Sequence, residues 1–105
     1  MSRPADRILA ERLEVVLSIG EANAERHRAQ AMLGGAQIEI IRVEMDDDIT
    51  ETSNERAEAH AADDAARAAL QAAEGRILSL EARLAELDRE LSYRRVYEAT
   101  FSIQG

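Results

Sequence analysis

Residues 70–91 read LQAAEGRILSLEARLAELDREL, and the fold class turns on this stretch. Leu70, Ala73, Ile77, Leu80, Leu84, Leu87 and Leu91 follow one another at spacings of 3, 4, 3, 4, 3 and 4. That is an unbroken heptad seam, with Leu70, Ile77, Leu84 and Leu91 at a and Ala73, Leu80 and Leu87 at d, which holds one stripe of a helix against a neighbouring helix. Upstream the same register falls on Ala59, Asp63 and Ala66, a thinner seam. Thr52 and Glu55 form a capping-box pattern, and no proline follows them. The spacing therefore predicts one long coiled-coil helix over residues 52–92.

The charges beside the seam bear on its partner. Positions e hold Glu74, Glu81 and Asp88, and positions g hold Arg76, Arg83 and Glu90. In a parallel pair of identical helices, Arg76 meets Glu81 and Arg83 meets Asp88, both attractive. An antiparallel pair of identical helices sets acid against acid. The expected partner is thus a second copy in parallel, in two, three or four strands, and the alternative is packing against the chain's own first helix. A helix of about 40 residues is ~60 Å long at ~1.5 Å per residue. A compact domain of this size has a radius of gyration of only ~13 Å, so the long helix is expected to project from its own globule or lie along a partner.

Upstream, Ile8, Leu9, Leu13, Val16 and Leu17 recur at helical spacing and read as one apolar stripe. Pro4 before them and Gly34-Gly35 after them bound a predicted helix over 5–33. Residues 37–45, QIEIIRVEM, are rich in β-branched side chains and alternate apolar with polar, which predicts a short strand, with a bulge between Ile40 and Ile41 or with both faces covered. Tyr93, Tyr97, Phe101 and Ile103 fall on alternate positions with Arg95 and Ala99, and a second strand is expected over 96–104. The same three aromatic residues also fit a helix at i, i+4 and i+8. The expected fold is a single mainly α domain over 1–105, two helices with two short β-strands.

Composition narrows the function. The chain has 105 residues, no cysteine and a formal net charge of −8. Asp46, Asp47, Asp48, Glu51, Glu55, Glu58, Asp63 and Asp64 crowd into residues 46–64 with one base, Arg56, so net −7 of the −8 sits there. Direct nucleic-acid binding needs concentrated positive charge and is not expected, nor is a membrane partner or a small-molecule substrate. Nothing resembles a signal peptide, and a cytoplasmic chain, or one within an intracellularly assembled particle, is the expectation.

Chemistry-bearing constellations are sparse. Asp46, Asp47 and Asp48 with Glu44 and Glu51 offer the oxygens a hard cation wants. Counted from Asp46, however, Glu51 stands where a calcium loop needs glycine, and Ala57 where it needs glutamate. A solvated acidic patch (Asp46, Asp47, Asp48, Glu51, Glu55) that favours the dipole of the long helix, or meets a basic partner, is the expectation. His60 with Asp64 one turn later offers two ligands or an acid–base pair, but a lone histidine on an alanine-rich helix is expected to be plain surface. His27 has no His, Cys or Ser partner at a telling spacing. No catalytic residue, metal or cofactor is called for, and the chain is not expected to be an enzyme. Every aromatic residue lies near the C-terminus, so Tyr93, Tyr97, Phe101 and Ile103 are the expected partner-binding residues.

Two fragments, residues 55–62 (ERAEAHAA) and residues 74–77 (EGRI), resemble the coiled-coil domain of Gre-type transcript-cleavage factors. That family inserts an acidic tip into RNA polymerase. It is helical where residues 37–45 stand, and Thr52 falls at its first tip acid. Three functions follow as expectations: a coiled-coil assembly or adaptor subunit that oligomerises and docks into a larger complex such as a virion or other multi-protein machine; an acidic inhibitor that mimics nucleic acid at a basic site; and a Gre-like polymerase-binding coiled coil.

Overall fold

The structure, a computed structural model, describes residues 4–45 and 52–104, with side chains for 4–45 and 53–95. Two long helices account for almost all of it: α1 over Ala5–Glu44 and α2 over Thr52–Gln104. The Pro4 carbonyl opens α1 by accepting from the backbone N–H groups of Arg7 at 3.1 Å and Ile8 at 3.3 Å. Proline suits this place because its missing N–H would find no helical acceptor there.

Neither expected strand forms, and the described residues contain no β-structure. Residues 37–44 belong to α1, because Ala36, Ile40 and Val43 continue its packing stripe at spacings of four and three. Met45 follows directly, its backbone N–H donating to the Ile41 carbonyl at 3.0 Å. Val43 is fully buried, while Ile38, Ile41 and Met45 face outward. The change of parity between Ile40 and Ile41, expected from a bulge or a strand covered on both faces, is the helical period showing through a β-branched sequence. Packing overrides β-propensity here. Gly34 and Gly35 do not stop α1 either, since neither takes a positive φ. Residues 96–104, the second expected strand, are the last turns of α2.

The chain divides into two compact units, each a pair of antiparallel helix segments. The first comprises Met1–Glu21 and Arg76–Gly105. Ile8, Val15, Leu87 and Leu91 form its core, with Ile19, Leu80 and Leu84 packed against them. Each large side chain removed from water stabilises by ~1.5–3 kcal/mol. The second unit, Ala22–Gly75, has a different interior. Ala22, Ala29, Ala36 and Val43 of α1 and Ala59, Ala66 and Ala73 of α2 are its buried apolar residues. An alanine methyl contributes under about 1 kcal/mol, yet it lets two helix backbones come close.

In α1 the buried residues Ile8, Val15, Ala22, Ala29, Ala36 and Val43 recur every seventh position. This corrects the apolar stripe expected near the N-terminus. Only Ile8 of that set is buried; Leu9, Leu13, Val16 and Leu17 are 50%, 60%, 40% and 60% exposed. The face that packs on α2 is the one that alanines prolong along the helix.

Candidate interaction surface

The seam of α2 is buried within one chain. Ala73, Ile77, Leu87 and Leu91 are buried, and Leu70, Leu80 and Leu84 are half-buried. Three of the flanking charges, Arg76, Arg83 and Asp88, face α1. Arg83 donates to both carboxylate oxygens of Glu11 at 2.8 and 2.7 Å and also pairs with Glu86 at 3.0 Å. Arg12 Nε donates to Asp88 Oδ1 at 2.8 Å, and Arg76 lies 3.8 Å from Glu21. Both carboxylates hold the Arg83 guanidinium more firmly protonated than usual, Glu11 more strongly than Glu86. The residues expected to select a parallel second copy therefore meet an antiparallel segment of the same chain. Comparing α2 only with itself hid this, because Glu11, Arg12 and Glu21 on α1 supply the complementary charges.

Asp63 stands out in the second unit, a carboxylate in an alanine seam with 8% of its surface exposed. Its Oδ2 accepts from Arg67 Nε at 2.8 Å, one turn on, while Oδ1 is buried and has no hydrogen-bond partner. Asp63 raises the pKa of Arg67 through that bond. Gln37, Ile40, Ile41, His60 and Arg67 line a shallow groove beside it. A polar residue at a seam position sets register at a cost in stability. Heptad counting placed Asp63 on the seam; which oxygen finds a partner is a matter of side-chain geometry that spacing does not reveal.

Near the connection between the helices, Arg42 pairs with Glu39 and lies 3.5 Å from Glu55. The Arg42 hydrogen bond holds the Glu39 carboxyl below the usual carboxylate range. His60 Nε2 is 3.8 Å from Glu44. Asp46, Asp47, Asp48 and Glu51 lie outside the described residues. Among the described residues, no three metal-ligating side chains gather, and no helix is long and apolar enough to cross a membrane.

Of the aromatic residues expected to hold a partner, Tyr93 is 76% exposed; the side chains of Tyr97, Phe101 and Ile103 lie outside the described set. The more extensive apolar surface is on α1 and at its end. Leu9, Leu13, Val16 and Leu17 are exposed in the first unit, and Met32, Ile38, Ile41 and Met45 in the second. On α2 only Leu78 joins Tyr93 among exposed large apolar residues described. The signal for this face lay in the sequence as a second heptad: Leu13, Leu17, Gly20, Ala24, His27, Ala31, Gly34, Ile38, Ile41 and Met45, at alternating spacings of four and three. No known protein family, curated protein or solved structure matches the chain.

Proposed function

We propose that this chain is a non-catalytic assembly or adaptor subunit that docks into a larger complex, such as a virion or another multi-protein machine, through the outer face of α1. One observation carries the reading: of the ten exposed large hydrophobic residues described, all but Leu78 and Tyr93 lie on that helix or, for Met45, directly after it. Soluble monomers rarely leave large apolar patches uncovered, and such patches mark contacts with other proteins. The aromatic end of α2, with Tyr93 exposed and Tyr97, Phe101 and Ile103 beyond it, is a second contact. The test is co-purification from the source cells. The wild-type chain is expected to travel with a larger assembly, whereas Leu13→Asp/Ile41→Asp, with unchanged helicity by circular dichroism, is expected to travel alone. Equal recovery of both would sink the proposal.

A second reading is supported by the antiparallel helices and their acidic connection. Such an end can enter a basic site on a nucleic-acid-handling protein, either as an inhibitor or in the manner of Gre-type factors. The helical state of residues 37–44 matches what that resemblance implies. Replacing Asp46, Asp47, Asp48 and Glu51 by their amides is expected to abolish binding to RNA polymerase or a nuclease on this reading, and to leave docking through α1 untouched on the first.

A further inference from the structure

We propose that the outer face of α1 pairs with the same face of a second copy, antiparallel, so that two chains join four helices. The proposal rests on the docking role of α1 argued above and names its occupant.

The buried positions of α1 occupy one of the seven heptad places. The places opposite hold Ala10, Leu17, Ala24, Ala31, Ile38 and Met45 in one row and Leu13, Gly20, His27, Gly34 and Ile41 in the next. His27 is the only polar member from residue 10 to 45. Large side chains (Leu13, Leu17, Ile38, Ile41 and Met45) stand toward both ends of these rows, and alanine and glycine, with His27, in the middle. Reversing a second copy sets Leu13 against Met45 of that copy and Leu17 against its Ile41, while Ala24 meets Gly34. The two outermost pairs thus set large side chains against each other. Toward the centre a small residue stands on at least one side of every pair (Gly20 with Ile38, Ala24 with Gly34, His27 with Ala31), where backbones come close.

Size alone would also allow a parallel pair, so the flanking charges decide. One flank holds Glu14, Glu21, Arg28, Gly35 and Arg42, acidic in its first half and basic in its second. The other holds Leu9, Val16, Asn23, Gln30, Gln37 and Glu44. A parallel pair brings the first flank against the second. Glu14 and Glu21 then meet Leu9 and Val16, Arg28 meets Asn23, Arg42 meets Gln37, and no ion pair forms. An antiparallel pair brings the first flank against itself, and Glu14 meets Arg42 of the other copy twice. Arg42 already pairs with Glu39 and Glu55, so it would bridge acids of both chains. One like-charge meeting, Arg28 with its counterpart, falls at the axis.

The chain has no cysteine, which gives a clean test on the full-length protein. Light scattering after size exclusion at ~100 μM is expected to give twice the 11.6 kDa chain mass, and Leu17→Asp is expected to return it to one. A short bismaleimide should then cross-link the Arg28→Cys variant into dimers. It should leave Glu14→Cys uncross-linked, because the two Glu14 positions lie about 28 residues of helix apart, ~42 Å at ~1.5 Å per residue. Glu14→Arg should weaken the dimer about tenfold, and adding Arg42→Glu should restore it. A wild-type monomer, or cross-linking of Glu14→Cys, overturns the proposal. A monomer that still co-purifies with its assembly through Leu13 and Ile41 would remove the second copy as occupant and leave the docking reading standing.

Discussion

The two units of this chain use one seam pattern with different side chains. In the first, Ile8, Val15, Leu87 and Leu91 interlock large apolar groups. In the second, alanines do the packing, and one carboxylate, Asp63, sits among them. The heptad supplies direction to both, but buried area differs greatly, and buried area sets stability. The first unit is therefore the stable half, and the second, which carries the acidic connection, opens more readily.

Truncation in the two cores gives the sharpest contrast. Leu87→Ala is expected to destabilise the chain by ~2–5 kcal/mol, since Leu87 is fully buried and its loss leaves a cavity. Ala66→Gly, at an equally buried place, is expected to cost only ~1 kcal/mol, mostly from helix propensity. Urea unfolding followed by circular dichroism measures both. Native-state hydrogen exchange should show slower amides around Leu87 than around Ala66. Equal costs would erase the distinction between the units.

Asp63 tests whether the second unit trades stability for register. Asp63→Ala removes a buried carboxylate with one unpartnered oxygen and continues the alanine seam. Arg67, with 56% of its side chain exposed, stays in water. The midpoint of thermal unfolding is expected to rise, by the equivalent of ~1–3 kcal/mol. A fall would mean that the Asp63–Arg67 pair contributes net stability.

A smaller effect concerns the glycines. An added Cβ at Gly35 meets nothing within 4 Å, and alanine is a better helix former than glycine by ~0.5–1 kcal/mol. Gly35→Ala should stabilise by about that amount if α1 runs through this point. Destabilisation would indicate a turn, as Gly34-Gly35 suggest in isolation.

The helical class, the start of α1 at Ala5, the start of α2 at Thr52 and the seam from Leu70 to Leu91 were legible because each rests on local rules of capping and spacing. Residues 37–45 misled because their β-branched content outweighs, in a short window, a seven-residue period visible only over all of α1. The direction of packing misled for a related reason. Arg76, Arg83 and Asp88 carry charges that a parallel copy would satisfy, and Glu21, Glu11 and Arg12 satisfy them from the other helix, far away in sequence. As for the candidate surface, Leu9, Leu13, Val16 and Leu17 were recognisable as apolar. Which of two apolar faces turns inward depends on Ala22, Ala29 and Ala36, whose single methyl groups are a faint signal.

The central claim is that α1 of the same chain covers the seam of α2. Chemical cross-linking of the double variant Arg12→Cys/Asp88→Cys by a short bismaleimide, at ~1 μM and read by mass spectrometry, tests it most directly. The two native side chains meet at 2.8 Å, so the cross-link is expected to close within one chain, at monomer mass. Cross-links that form only between chains would contradict the account and return the seam to an intermolecular coiled coil.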